Sequence, residues 1–246
     1  MSVLRIASWN IHECSGSDRR YAPARIAQVL ASIDADVFVL QEVSARQGNA
    51  DELCKRFEDA AGASSVFSPT FVKHGRPFGN ALLCRLPILA ELRHPLPGRG
   101  EPRNALELVV DWDGCPLRVI GTHLALRAHQ RRVQVARLAD LVDAARNTVL
   151  LGDFNEWHGR ASLDALAPLL DDVPSPPTFP SLCAVARLDR IFASRDLRVV
   201  AGSRRDRVAR MASDHLPLVA AVTRTQARLS EKPRASQAGN EPGDLR

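Results

Sequence analysis

The chain has 246 residues, 45% of them apolar, and 33 basic against 28 acidic side chains give a net charge of +5. That allows a real core in one α/β domain and leaves little room for a second. Five scattered cysteines without a Cys-x-x-Cys pair argue against a disulfide framework or structural zinc. No apolar run approaches the roughly 20 residues that span a bilayer, and Met1 to Arg5 leads into a strand without the pattern of a signal peptide, so a cytoplasmic protein is expected.

In chain order, a β-prone run from Leu4 to Trp9 ends in Asn10. Ile26, Val29, Leu30 and Ile33 stand at helical spacing and predict a helix over Pro23 to Ile33. The run Asp36 to Gln41 ends in Glu42, which completes a β-α-β unit. A helix is expected over Ala50 to Ala61, then strands near Ser65 to Val72, Asn80 to Arg85, Ile88 to Arg93, Ala105 to Asp111 and Leu117 to Thr122. Short strands joined by turns point to antiparallel sheet there, and the last of them ends in His123. Gln130 to Ala145 reads as a helix, with Val133, Leu138, Leu141 and Val142 among its apolar positions, feeding a strand at Val149 to Gly152. A short helix at Leu163 to Leu170 and strands at Leu188 to Ala193, Leu197 to Ala201 and Leu218 to Val222 close the domain. The Pro-rich stretch Val173 to Pro180 predicts a fixed loop near the site. Beyond about Thr225 large apolar residues are scarce, so residues 1–224 read as the domain and 225–246 as a disordered polar tail.

The strand ends carry the chemistry. In Val149 to Asn155 an apolar run ends in Gly152 and then offers a carboxylate and a carboxamide two residues apart. Residues i and i+2 of an extended chain share a side, so Asp153 and Asn155 can face one substrate or ion while Phe154 turns to the core. Asn10, Glu42, His123 and, near the C-terminus, Asp189 with Asp214-His215 repeat the construction. Such a set describes one site assembled from distant sequence.

Trp9-Asn10, Leu40-Gln41-Glu42, Thr122-His123, Gly152-Asp153-Phe154-Asn155, Leu188-Asp189 and Ser213-Asp214-His215, in that order, resemble the endonuclease/exonuclease/phosphatase (deoxyribonuclease I-like) superfamily over roughly residues 3 to 222. The resemblance implies a four-layer α/β sandwich, two mainly antiparallel sheets packed face to face with outer helices. It implies a phosphoesterase dependent on Mg²⁺, with Mn²⁺ as the other option, in which Glu42 is a metal ligand, Asn10 supports the metal or its water, and Asp214 sits near it. Asp153 matches the residue that orients or deprotonates the attacking water, and Asn155 and His215 match those that contact phosphoryl oxygens. Asp189 corresponds to the carboxylate that holds the His215 imidazole. His123 matches the residue that, in deoxyribonuclease-like and sphingomyelinase-like branches, assists the leaving oxygen or binds phosphate, where abasic-site enzymes have Tyr.

Nucleic acid is the leading substrate class implied, with a phospholipid or inositol-lipid headgroup as the rival and a non-catalytic polyanion-binding scaffold as the third reading. The Asp-x-His and Gly-Asn-His-Glu/Asp motifs of calcineurin-like phosphatases are missing. Nothing calls for an obligate protein partner. Arg103, in Glu101-Pro102-Arg103-Asn104, either reaches a substrate phosphate or stands exposed at a loop edge. The clusters Arg127 to Arg132 and Arg204 to Arg207 read as solvated surface, with contact to a polyanion as the alternative. Core packing is expected for Trp9, and a substrate platform is open to Trp157.

Overall fold

A computed structural model of the chain describes residues 2–142, 147–157, 159 and 161–225. The expected tail beyond Thr225, and residues 143–145 of the expected third helix, lie outside the described residues. In chain order the elements are β1 (Leu4–Asn10), α1 (Pro23–Ile33), β2 (Val37–Val43), α2 (Ala50–Ala61), β3 (Ser64–Lys73), β4 (Arg76–Cys84), β5 (Ile88–Leu96) and β6 (Arg103–Trp112). There follow β7 (Cys115–His123), α3 (Ala128–Val142), β8 (Thr148–Asp153), β9 (Asp171–Asp172), β10 (Asp189–Ala193), β11 (Leu197–Ser203), α4 (Arg207–Ala212) and β12 (Leu218–Arg224).

Two six-stranded sheets result, ordered β11-β12-β1-β2-β4-β3 and β5-β6-β7-β8-β10-β9. Each is antiparallel except for one central parallel pair, β1/β2 in the first and β7/β8 in the second. A parallel pair needs a long crossover, and α1 and α3 supply the two.

Period-two alternation sorts the side chains into layers. Leu4 and Ile6 of β1, Val37 and Val39 of β2, Val119 of β7, and Val149 and Leu151 of β8 fill the space between the sheets. The intervening Ala7, Trp9, Phe38 and Leu40 face α1, α2 and α4, while Ile120 and Leu150 pack with Val135 and Leu138 of α3. The result is the expected α/β/β/α sandwich. At Gly121 an added Cβ would stand 2.4 Å from Cγ1 of Val39, so a glycine is needed where β7 passes this side chain of the opposite sheet.

Some expectations change. Leu163 to Leu170 shortens to a 3-10 turn at Asp164–Leu166, and β9 and α4 were not foreseen. Asn80 lies within β4 rather than at its entry, buried and donating to Oδ1 of Asn104 in the opposite sheet at 2.9 Å.

The buried face of α3 carries Arg131, Gln134, Val135, Leu138 and Val142, while Val133 is 53% exposed. Arg131 is therefore not the solvated surface residue that the cluster suggested. Its guanidinium donates to the carbonyls of Ala125 and Leu126 at 3.3 and 2.6 Å and pairs with Glu156 at 3.4 Å, while Gln134 Oε1 accepts from Ala125 N at 2.9 Å. These buried polar groups fix the loop that follows β7. Truncating one member of a buried ion pair typically costs about 3–5 kcal/mol, so Arg131→Ala is expected to lower the unfolding free energy by about that much in denaturant titration. Unchanged stability with a flattened salt dependence of nucleic-acid binding would restore the surface reading.

Candidate active site

At one end of the sandwich the inward-facing positions change from apolar to polar. Continuing the inner-face alternation gives Ser8 and Asn10 in β1, Gln41 in β2, His123 in β7, Asp153 in β8 and Asp189 in β10, all at most 4% exposed. Four of the six are terminal residues of their strands, and the parallel registers end on Asn10↔Gln41 and His123↔Asp153. The site thus lies beyond the carboxyl ends of both parallel pairs, where open α/β sheets commonly bind ligands.

Strict alternation would send Glu42 outward with Phe38 and Leu40. A bulge between Leu40 and Val43, with Glu42 at φ 56°, interrupts the register and re-aims the side chain. Its Oε1 then accepts from Asn10 Nδ2 at 3.0 Å. In β8 only a glycine fits at position 152, since at φ 155° an added Cβ would stand 2.0 Å from the Thr122 carbonyl oxygen. His12, Glu13 and Cys14 after β1, and Asn155 after β8, also have left-handed backbones, at φ 47°, 50°, 59° and 50°. Each such non-glycine residue costs about 1–3 kcal/mol and is held by its surroundings, and five of the ten among the described residues, with Glu42, lie at this end.

Asp153 is the hub. Its Oδ2 accepts from Asn10 Nδ2 at 3.1 Å and lies 3.6 Å from His123 Nε2 and 3.7 Å from His215 Nε2. Its Oδ1 takes the Asn155 backbone N–H at 2.9 Å, while the Asn155 amide donates to the Leu124 carbonyl at 2.9 Å. His215 Nδ1 is 2.8 Å from Asp189 Oδ2, which also accepts from the Thr178 hydroxyl. Arg103 Nη1 donates to His123 Nδ1 at 3.0 Å, which leaves the imidazole hydrogen on Nε2, facing Asp153. Asp214 stands at the mouth, 35% exposed and 3.5 Å from His12 Nδ1.

All the expected site residues meet at this end of the molecule. Arg103 joins them as a side chain 6% exposed, not as a loop-edge arginine. His12, Thr178 and Phe179 were not among the expected site residues. Phe179 packs on His215 with ring centroids 4.9 Å apart and Trp157 packs on Phe179 at 5.4 Å, so the Pro-rich segment does form a wall of the site. Trp9 is buried as expected, and its indole donates to the His215 carbonyl at 2.9 Å.

The two imidazoles differ in charge. Burial and the neighbouring Arg103 guanidinium lower the His123 pKa to about 3. Burial also opposes charge on His215, but Asp189, Asp153 and Asp214 outweigh it and raise the pKa to about 10. Near neutrality His123 is neutral and His215 a cation. Relative to an unfolded value near 6.5, the raised pKa of His215 contributes stability that is lost as pH rises from about 6.5 through 10. The depressed pKa of His123 causes loss as pH falls from about 6.5 toward 3. In EDTA, His215→Asn is therefore expected to flatten the alkaline limb of a stability profile and His123→Asn the acid limb. Parallel profiles for wild type and both variants would contradict the assignment.

Among the described residues no three His, Cys, Asp or Glu side chains converge on a ready metal cage. The oxygen donors Glu42, Asn10 and Asp214 nonetheless suit a hard cation that takes one or two carboxylates and keeps its waters. Burial raises the Glu42 pKa, and the nearby Asp153 and Asp214 charges add to the rise, so a cation would relieve an excess of negative charge.

The model of the Endonuclease/Exonuclease/phosphatase family matches residues 7–215. The uncharacterized protein YbhP of Escherichia coli (strain K12) is 26% identical over 243 residues, 89% of this chain and 96% of its own. The crystal structure of an endonuclease/exonuclease/phosphatase from Beutenbergia cavernae superposes with a TM-score of 0.78 at 26% identity, covering 91% of this chain and 72% of that one. The Bacteroides thetaiotaomicron mannosyl-6-phosphatase superposes with a TM-score of 0.70 at 22% identity, covering 89% and 99%.

Proposed function

Because the chain belongs to the Endonuclease/Exonuclease/phosphatase family, whose members hydrolyse phosphoester bonds, we propose that it is a Mg²⁺- or Mn²⁺-dependent phosphodiesterase and that its leading substrate is nucleic acid. The observation that carries this reading is the Asp153 carboxylate beside two imidazoles of opposite charge, at 3.6 and 3.7 Å. Environments that drive paired groups apart mark acid and base roles.

In this reading Asp153 orients water for in-line attack on phosphorus and accepts its proton. The His215 cation, held by Asp189, donates to a phosphoryl oxygen as negative charge develops. Asn155 offers an amide hydrogen to the same group. His123, kept neutral and fixed by Arg103, donates a hydrogen bond from Nε2 to the leaving oxygen. Glu42, with Asn10 and Asp214, would hold the divalent cation, which supplies positive charge to the phosphoryl group and its leaving oxygen.

The wall of Phe179 and half-exposed Trp157 beside His215 suits the flat rings of nucleotides. A lipid-headgroup reading draws on a different observation. Leu126, Trp157, Leu182 and Val185, 49% to 74% exposed, all stand on loops around the site, and an apolar rim suits an interface. No helix among the described residues is long and apolar enough to cross a membrane.

Hydrolysis of single- and double-stranded DNA and RNA beside phospholipid and phosphoinositide vesicles, with and without Mg²⁺, separates the readings. Nucleic-acid cleavage abolished by EDTA is expected. Cleavage of lipid alone would replace the substrate and keep the chemistry; no metal-dependent hydrolysis of any phosphoester would remove the proposal.

A further inference from the structure

Beside the catalytic centre, across Arg103, the β5–β6 and β7–α3 loops border an open cavity of about 280 Å³ lined by Arg99, Glu101, Arg103, Leu126, Arg127 and Gln130. Three guanidinium groups face one carboxylate, and that carboxylate already accepts from Arg103 Nη2 at 2.8 Å. Arg99 and Arg127 are exposed and make no ion pair among the described residues. Their backbones are fixed: Gln130 Nε2 donates to the Arg99 carbonyl at 2.6 Å, and the Arg127 carbonyl accepts the Gln130 and Arg131 N–H groups at 3.0 Å. Arg103 is 8% exposed, and its Nε is buried without a partner. An unmet buried donor of this kind calls for an acceptor.

We propose that this cavity is an anion subsite that grips a second phosphate of the substrate, next to the one undergoing hydrolysis. Guanidinium groups suit phosphate because they donate paired N–H bonds in a plane. Arg103 joins the subsite to the centre, since the same guanidinium that lines the cavity donates to His123. The inference rests on the phosphodiesterase reading and sharpens it: the preferred substrate carries two phosphates one linker apart, as neighbouring phosphates of an oligonucleotide do.

The test compares a thymidine dinucleotide with its 5′- and 3′-phosphorylated forms as substrates for wild type and the double variant Arg99→Ala/Arg127→Ala. Neither residue belongs to the hydrolytic machinery. Wild type is expected to favour one phosphorylated form by about tenfold in KM, the scale of one charge-assisted hydrogen bond. The double variant should lose that preference and treat the unphosphorylated dinucleotide as wild type does. A preference retained by the variant, or no preference in a wild type that cleaves all three, would overturn the subsite. Calorimetric titration with inorganic pyrophosphate in EDTA separates this failure from that of the function itself. If no dinucleotide is cleaved but pyrophosphate binds wild type about tenfold more tightly than the double variant, the subsite stands without the nuclease reading. Equal pyrophosphate affinity overturns it regardless of hydrolysis.

Discussion

Asp153→Asn is expected to slow metal-dependent hydrolysis by about 10³-fold while leaving the protein folded, within the 10²–10⁴-fold usual for a positioned acid or base. Asn matches Asp in size, and its one amide oxygen can keep the contact to the Asn155 backbone N–H, where Asp153 now accepts at 2.9 Å, while its NH2 replaces the oxygen that accepts from Asn10 at 3.1 Å. What it lacks is the anion that takes a proton from water. Asp153 also helps to hold His215 charged, so the substitution weakens the cation that faces the phosphoryl group. The effect should therefore fall on kcat more than on KM. A variant within a few-fold of wild type would mean that water is activated elsewhere.

Asp189→Asn is the second large effect, expected at about 10²- to 10³-fold in kcat through a residue that positions another. Asp189 is wholly buried and reaches His215 Nδ1 at 2.8 Å. Without its carboxylate, burial of the imidazole is less opposed and its pKa falls from about 10. A rate that requires the cation then declines as pH rises through the lowered pKa, where the wild type still holds its proton. His215→Gln and the double variant should lose little more than the larger single loss, because groups acting as a unit are strongly non-additive. Additive losses with an unshifted pH profile would reduce Asp189 to a packing role.

The parts of the site that were legible in the sequence share a cause. Asn10, His123 and Asp153 continue the inward alternation of their strands, so an apolar pattern ending in a polar residue announces both the strand and its chemical end. Glu42 shows where alternation fails, since only the bulge in β2 turns it toward Asn10. The missed contacts are long-range. His12 meets Asp214, Thr178 meets Asp189, and Arg103 meets His123, and none of these pairs has a local periodicity. Arg131 was misjudged because a run of basic residues usually faces solvent, whereas here one member supplies the donors that the loop after β7 lacks. Helix α4 is six residues long and opens on the last arginine of a basic cluster, yet its signal was present in Asp206, whose carboxylate accepts from the N–H groups of Val208 and Ala209 at 3.0 and 3.1 Å.

Hydrolysis of bis(p-nitrophenyl) phosphate in ¹⁸O-water with Mg²⁺, followed by mass spectrometry of both products, tests the central claim most directly. Label in the phosphate product, with turnover lost both in Asp153→Asn and in EDTA, is the result expected of water activated at Asp153 and attacking phosphorus. Label in the nitrophenol, or turnover that survives both controls, would contradict it.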